Sequence, residues 1–359
     1  MTAVDELFAD RVRALQPVAC EHPADVLLSL YDAQLGSRHA DLAARWLQSQ
    51  GHGYYTIGSA GHEGNAAVAA ALEPTDPALL HYRSGAFYLA RAAQYRDKDG
   101  LRDILLGVAA ATSEPISGGR HKVFGRHDLA IIPQTSTIAS HLPRSVGIAF
   151  AIGRARRLNL PTRWLPDSVV VCSFGDASIN HSTAVGAMNT AAYCVAGGLP
   201  MPIVFVCEDN GLGISVPTPA GWVAQAAQRP GIRYLSASGD DPGSVSLSAR
   251  EAVEYARTEN KPAFLHLRTV RYLGHAGTDV ETGYRSAAAI TADLAHDPVL
   301  AFGRLITGTD LLHRYDFIAR RISSLAPDVA AEPTHRSAAA VMAPLAPREP
   351  APTAALARM

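Results

Sequence analysis

The sequence is poor in several features that mark particular classes of protein. Only four of its 359 residues are cysteine, and their spacing matches neither a metal finger nor a redox pair. The formal net charge of −1 gives no general attraction to nucleic acid or to an anionic membrane. No apolar run reaches the length of a membrane span, and the first ten residues lack the apolar core of a signal peptide. We therefore expect a cytoplasmic protein that binds neither nucleic acid nor membrane.

The composition that is present favours a folded α/β protein. Hydrophobic residues make up 48% of the chain and charged residues 18%, which excludes a disordered protein and leaves ample material for a core. We predict a loosely packed N-terminal arm over residues 1–24, one α/β domain over 25–325, and an Ala/Pro-rich tail or linker over 326–359. Lysine occurs only at positions 98, 122 and 261, and this scarcity excludes no class of protein.

Two short stretches are the most informative part of the chain. Residues 169–178 and 202–211 are apolar, β-branched runs that end in a glycine, a carboxylate or an amide, and residues 183–195 between them have the pattern of a helix. Strand, helix and strand in this order form a crossover unit with parallel strands. The predicted architecture is therefore a mainly parallel sheet with helices on both faces.

Polar side chains follow both predicted strands. Asp176 and Asn210 are 34 positions apart in the sequence but would lie side by side at the carboxyl edge of the sheet, where such folds bind ligands. One charged and one neutral oxygen beside a helix N-terminus suit a magnesium ion that carries a diphosphate. Asp176 alone could equally cap the helix that follows it.

The chain resembles a known family in several separate, collinear blocks between about residues 27 and 305. The blocks are Gly61-His-Glu-Gly64, Tyr82-Arg83, Ser117-Gly-Gly-Arg120, Ser136-Thr-Ile138, Gly175-Asp176, Glu208-Asp-Asn210, Gly274-His-Ala-Gly-Thr-Asp279 and Tyr284-Arg285. In these blocks the chain is similar to the α subunit of the thiamine-diphosphate-dependent decarboxylating component of 2-oxo acid dehydrogenase complexes, of the pyruvate and branched-chain type. The resemblance implies a thiamine-diphosphate-binding fold.

The resemblance assigns roles to residues of this sequence. The metal ligands would be the side chains of Asp176 and Asn210 and the carbonyl oxygen of Leu212, with thiamine diphosphate and Mg²⁺ as cofactors. Ile138 would keep the cofactor bent, and His275 would also steer or protonate reacting groups, because imidazole titrates near neutrality. The implied cofactor-binding residues are Tyr82, Arg83, Ser136, Ile138, Gly175, Asp176, Ala177, Asn210, Leu212 and His275.

The resemblance also implies partners. A β subunit, either a separate chain or a missing fused half, would complete the site in a heterotetramer of two α and two β chains. The assembly would oxidatively decarboxylate a 2-oxo acid and transfer the acyl group to a lipoyl group on an acyltransferase component. Which 2-oxo acid it uses stays open at this point.

Departures from the family pattern keep other interpretations open. Ala177 replaces a usual glycine and Asp209 a usual asparagine, which favours a scaffold subunit that has lost turnover. The tail resembles a joint at which some relatives continue into the β half, so the chain could be a truncated fusion; a transketolase-like enzyme is a further alternative. The basic residues Arg120, Lys122 and Arg126 could attract an anionic substrate or form a solvated loop, and His62 and Glu63 are expected to cap or pack.

Overall fold

A computed structural model describes residues 3–18, 23–95, 98–134 and 137–343. In this part of the chain no helix is both long enough and apolar enough to cross a membrane. The helices are α1 Ala3–Arg13, α2 Ala24–Ser49, α3 Ala66–Ala70, α4 Gly85–Ala93, α5 Gly100–Val108, α6 His141–Leu158, α7 Ser182–Ala196, α8 Trp222–Ala227, α9 Pro242–Glu259, α10 Ala287–Asp293, α11 Pro298–Gly303, α12 Leu311–Ala330 and α13 Ala338–Met342. The strands are β1 Ala78–Leu79, β2 Val170–Gly175, β3 Ile203–Asp209, β4 Leu212–Gly213, β5 Val216–Pro217, β6 Arg233–Ser238 and β7 Ala263–Arg268.

The main sheet has five parallel strands in the order β1-β2-β3-β7-β6. Strands β2 and β3 are neighbours joined by helix α7, which confirms the predicted crossover unit and the mainly parallel sheet. Strands β4 and β5 form a separate antiparallel pair directly after β3. All carboxyl ends of the main strands therefore lie along one edge.

The sheet is covered on both faces, as predicted. Successive side chains of a strand point to opposite faces, and here they enter two different cores. Val171 and Val204 join the core built with α2, α4, α9 and α12. Cys172 and Phe205 join the core built with α6 and α7. Burial on both faces explains why β2 and β3 are continuous apolar runs without alternation.

The chain termini differ from the prediction. Phe8 of α1 is buried and stacks on Tyr315 of α12 with ring centroids 4.3 Å apart, so this helix is not loosely packed. Helix α12 continues past residue 325, where we placed the start of the tail, and buries Ala326 and Val329. The reason is helical spacing: these two residues extend the buried stripe that contains Ile322, a pattern that overall composition does not show. The division into arm, domain and tail otherwise stays a prediction.

Strand β1 is only two residues long and is followed directly by a turn. The pairing with β2 ends at Leu79, because a turn follows in which the Ser84 amide donates to the His81 carbonyl. Helix α4 begins at Gly85. The turn places Tyr82 and Arg83 at the carboxyl edge of the sheet.

Candidate active site

The two predicted ligand positions lie at the same edge of the sheet. The register pairs Gly175 with Glu208, so Asp176 follows the end of β2 directly beside the end of β3. Asn210 comes one residue after β3, and strand β4 then packs against the turn that begins at Asp176. The structure therefore brings the ends of these two strands together, as the sequence predicts.

The Asp176 carboxyl group is buried in an electrostatically unfavourable place. Burial raises its pKa, and the negative charge of nearby Asp209 raises it further. The hydroxyl of Thr218 donates a hydrogen bond to Oδ2, which opposes the shift. A bound cation at this carboxylate would remove the cost of its charge.

The amide of Asn210 is held by a histidine that sequence reasoning assigned to capping or packing. Asn210 Nδ2 donates to Nε2 of His62 at 2.9 Å, and Asn210 Oδ1 accepts from the Leu212 amide at 3.1 Å. Because Nε2 accepts, the proton of the neutral imidazole is on Nδ1, which donates to Glu208 Oε2 at 2.7 Å. Burial lowers the pKa of His62 well below its usual value, so the ring stays neutral. The Gly61-His-Glu-Gly64 block was the available signal for this role.

Glu208 anchors this relay. Its side chain is fully buried and accepts from Asn65 Nδ2 at 3.2 Å and from Ser84 Oγ at 3.2 Å, besides His62. Ligand atoms of His62, His81 and Glu208 lie within 4.8 Å of one another, the spacing of a possible second metal site. The lone pair of His62 is already used by Asn210, however, and the other ring nitrogen carries the proton. This cluster therefore acts as a hydrogen-bond network.

Arg83 and His275 form a second donor group. Arg83 is buried; its guanidinium donates to the Gly58 carbonyl and, at 3.0 Å, to Nδ1 of His275. Burial lowers the pKa of His275 to about 4, and the charges of Arg83 and Arg271 contribute. We expected this histidine to titrate near neutrality, but in this environment it is neutral with its proton on Nε2. Arg83 and His275 thus offer N–H donors that suit an anionic group.

Tyr82 and Ile138 line the same small cavity of about 30 Å³, together with His81 and His141. Ile138 is 43% exposed. The Nδ1 atoms of His81 and His141 are buried, and neither has a hydrogen-bond partner in the described part of the chain. These unsatisfied atoms are an indication that the region binds a ligand. Ser136, the remaining predicted contact, lies outside the described residues.

Comparisons with known proteins identify the family to which the chain belongs. Residues 31–317 match the family model described as "Dehydrogenase E1 component". The chain belongs to the dehydrogenase E1 component family. It is 28% identical over 271 residues to "2-oxoisovalerate dehydrogenase subunit alpha, mitochondrial" of Homo sapiens, which covers 74% of this chain and 56% of the human protein. It is 26% identical over 294 residues to "2-oxoisovalerate dehydrogenase subunit alpha" of Bacillus subtilis (strain 168), covering 79% of this chain and 83% of that protein.

Members of the dehydrogenase E1 component family use thiamine diphosphate, and the parallel sheet with helices on both faces is the fold expected for it. The aligned part of the chain spans only about half the length of the human relative. The fold and family predictions are confirmed.

One departure from the family pattern, Asp209, has a hydrogen-bonded partner on β7. Its carboxylate pairs with His266 Nε2 at 2.8 Å and accepts from the Gly211 amide at 3.0 Å. Burial raises its pKa, but these two hydrogen bonds outweigh that effect and lower it overall. The extra charge is therefore stabilised by a partner of its own on β7.

The second departure, Ala177, is accommodated by a glycine on β4. A Cβ atom built on Gly213 would lie 2.8 Å from the Cβ of Ala177, well inside van der Waals contact. The Ala177 methyl therefore occupies the space that a side chain at position 213 would need. Leu212, whose carbonyl is a predicted ligand, is the adjacent residue.

We expect Gly213→Ala to lower the free energy of unfolding by about 1–3 kcal/mol, because two methyl groups would then overlap. Adding Ala177→Gly should recover most of this loss, whereas Ala177→Gly alone should have little effect. Urea denaturation of the four chains in this double-mutant cycle measures the coupling. Gly186→Ala is the control, since a Cβ there meets nothing within 4 Å. Additive effects of the two changes would contradict the packing described here.

Proposed function

We propose that this chain is the α subunit of a 2-oxo acid dehydrogenase. With a β chain it carries out thiamine-diphosphate-dependent oxidative decarboxylation of a 2-oxo acid and passes the acyl group to a lipoyl group on an acyltransferase component. The observation that carries the proposal is the meeting of Asp176 and Asn210 at one sheet edge, within a chain that matches the E1 family.

The residues present fit a magnesium ion and a diphosphate. Asp176, Asn210 and the Leu212 carbonyl are oxygen donors, which is the set that Mg²⁺ prefers. The raised pKa of Asp176 and the unsatisfied Nδ1 atoms of His81 and His141 are both features that a bound charged cofactor would relieve. Ala177 does not disturb this set, because its methyl packs against Gly213.

The cofactor would supply the carbon centre that attacks the 2-oxo group. This chain's residues would bind and orient it: Asp176 and Asn210 through the metal, with His62 fixing the Asn210 amide. Arg83 and the Nε2–H of His275 would donate hydrogen bonds to the diphosphate, because an anionic acceptor suits these N–H donors. Because His275 is neutral, its role in this proposal is donation of a hydrogen bond rather than of a proton.

Exposed apolar surface on helices α6 and α7 supports the proposal of a partner chain. Helices α6 and α7 enclose a groove of about 510 Å³ that contains Phe150 and Gly186. Phe150 is 40% exposed and Tyr193, farther along α7, is 78% exposed. Exposed apolar side chains clustered in this way are typical of protein–protein contacts. We propose that the β subunit covers this side.

The proposed function predicts turnover only in a mixture. The chain, a β chain, thiamine diphosphate, Mg²⁺ and a lipoylated domain are combined with pyruvate, 2-oxoisovalerate or 2-oxoglutarate. Carbon dioxide release and acylated lipoyl groups, detected by mass spectrometry, should appear only when both chains are present. The matched control is the same domain without its lipoyl group.

Each other outcome would contradict the proposal. Absence of cofactor binding in calorimetry, with and without the β chain, would indicate a scaffold subunit. Turnover that is independent of the lipoyl group would indicate a transferase with another acceptor.

A further inference from the structure

Lys122 is a buried cation that the proposed function does not use. Its side chain is 8% exposed, and its aliphatic stem packs on the backbone of Gly107. The two basic residues near it in sequence behave differently: Arg126 pairs with Asp103 at 2.5 Å, and Arg120 donates to backbone carbonyls. The basic cluster noted in the sequence is therefore not one solvated loop, because Lys122 is directed into the protein.

Lys122 has no ion-pair partner in the described part of the chain. Among the described residues, neither Lys122 nor Arg83 forms an ion pair with a carboxylate within 4.0 Å. The carboxylate that acts on both is Asp41, which already accepts from the Ser59 and Ala60 amides at 2.6 and 2.7 Å. Burial lowers the pKa of Lys122 to about 8; Asp41 opposes this and Arg83 adds to it. Lys122 is thus a buried cation without an ion pair among the described residues, an arrangement that favours binding of an anion.

The ammonium group lies beside the predicted cofactor contacts. It is 5.2 Å from the ring centroid of Tyr55 and 4.7 Å from that of Phe124. Lys122 lines the 30 Å³ cavity that Tyr82 and Ile138 also line. The cavity has room for only a small polar group. Its walls combine aromatic and aliphatic side chains with polar ones, among them His81 and His141, and Lys122 contributes a positive charge.

The reacting carboxylate is a poor partner for such a cation. It loses its negative charge to the rest of the molecule as carbon dioxide leaves, so a cation bound to it stabilises the starting state more than the transition state. A carboxylate that keeps its charge throughout the reaction has no such cost. The apolar walls of Tyr55 and Phe124 suit the methylene groups that would separate two carboxylates.

We infer that Lys122 selects a 2-oxo acid with a second carboxylate at the far end of its side chain, a 2-oxo dicarboxylic acid. The inference rests on the proposed function and specifies its substrate class. Arg83 and His275 would hold the diphosphate, which leaves Lys122 as the buried cation for the distal carboxylate. The relatives named above are 2-oxoisovalerate dehydrogenase subunits, so this inference separates the chain from them.

The test compares two substrates within each preparation of the reconstituted enzyme. 2-Oxoglutarate is the dicarboxylate probe and 2-oxoisovalerate the monocarboxylate probe, and the measured quantity is the ratio of their kcat/KM values. This ratio does not depend on the fraction of folded enzyme. Wild type should prefer 2-oxoglutarate. Lys122→Met, which keeps the stem and removes the charge, should lower the ratio by about 30-fold or more, because a buried carboxylate loses its counter-charge.

Two further variants separate charge from structure. Lys122→Arg keeps the charge and should keep the preference for 2-oxoglutarate. Lys261→Met removes a lysine that is paired with Glu259 at 3.5 Å on the surface, and should leave the ratio unchanged. A wild-type preference for 2-oxoisovalerate, or an equal loss on both substrates in Lys122→Met, would overturn the inference alone. Absence of turnover with either acid would overturn the proposed function as well.

Discussion

Asp176→Asn is expected to weaken metal-dependent cofactor binding strongly while leaving the chain folded. The substitution keeps the shape and one side-chain oxygen but removes the negative charge that a magnesium ion requires. Substituting a residue that only hydrogen-bonds to a metal ligand already lowers metal affinity by roughly 10- to 100-fold. Loss of a charged ligand itself should therefore lower the affinity by about 100-fold or more. Calorimetry of the reconstituted α–β protein with thiamine diphosphate and Mg²⁺ measures this directly.

The same substitution should not destabilise the isolated chain. Burial raises the pKa of Asp176, and a carboxyl group with a raised folded pKa contributes stability only below its unfolded pKa. That contribution is lost as the pH rises through the folded pKa, so at pH 7 the charged group is a cost that asparagine removes. We expect the free energy of unfolding of Asp176→Asn at pH 7 to be equal to or higher than that of the wild-type chain. Any such gain should disappear at pH 3.

Asp241→Asn serves as the control for this experiment. Asp241 caps helix α9 by accepting from the Ser244 amide at 3.0 Å, a role that asparagine fills equally well. It should change neither cofactor affinity nor stability. If Asp176→Asn bound magnesium and cofactor as tightly as this control, Asp176 would not be a ligand.

The parts of the fold that could be predicted from sequence depend on local patterns. Helix α7 was predicted over residues 183–195 and observed over Ser182–Ala196, because small and apolar residues recur at helical spacing. Strands were predicted within residues 169–178 and 202–211 and are observed at Val170–Gly175 and Ile203–Asp209. The meeting of Asp176 and Asn210 followed from the rule that consecutive parallel strands of a crossover unit are adjacent.

The parts that could not be predicted depend on contacts between distant segments. His62 and Asn210 are 148 positions apart, and no spacing rule connects a histidine at a helix start with an amide after a strand. The burial of Lys122 is similar, since its neighbours Tyr55 and Gly107 come from other parts of the chain. A family resemblance identifies motifs such as Tyr82-Arg83. The roles of residues outside those motifs can be inferred only from the packed structure.

Arg38→Met is expected to cause the largest loss of stability among single substitutions near the site. Arg38 is buried and pairs with Glu63 at 2.5 Å and with both oxygens of Asp297 at 3.0 and 3.2 Å. Its removal would leave two buried carboxylates without a counter-charge, a change that typically costs 3–5 kcal/mol, so a loss of about that size is expected. Urea denaturation at pH 7 measures it. The control is Arg314→Met, whose partly exposed pair with Asp32 should be worth at most about 1 kcal/mol.

The pH dependence of this loss distinguishes charge from packing. Burial raises the pKa of Glu63 and Arg38 opposes that rise, so the pKa should go higher in the Arg38→Met variant. A carboxyl group with a raised folded pKa destabilises only where it is ionised, so the deficit should shrink as the pH falls toward 4. A deficit that is constant with pH would instead indicate lost packing against Tyr272, whose ring centroid is 4.2 Å from the guanidinium.

Because Glu63 also accepts from the Gly61 amide at 2.7 Å, the Arg38→Met variant should also weaken cofactor binding, through the loop that carries His62.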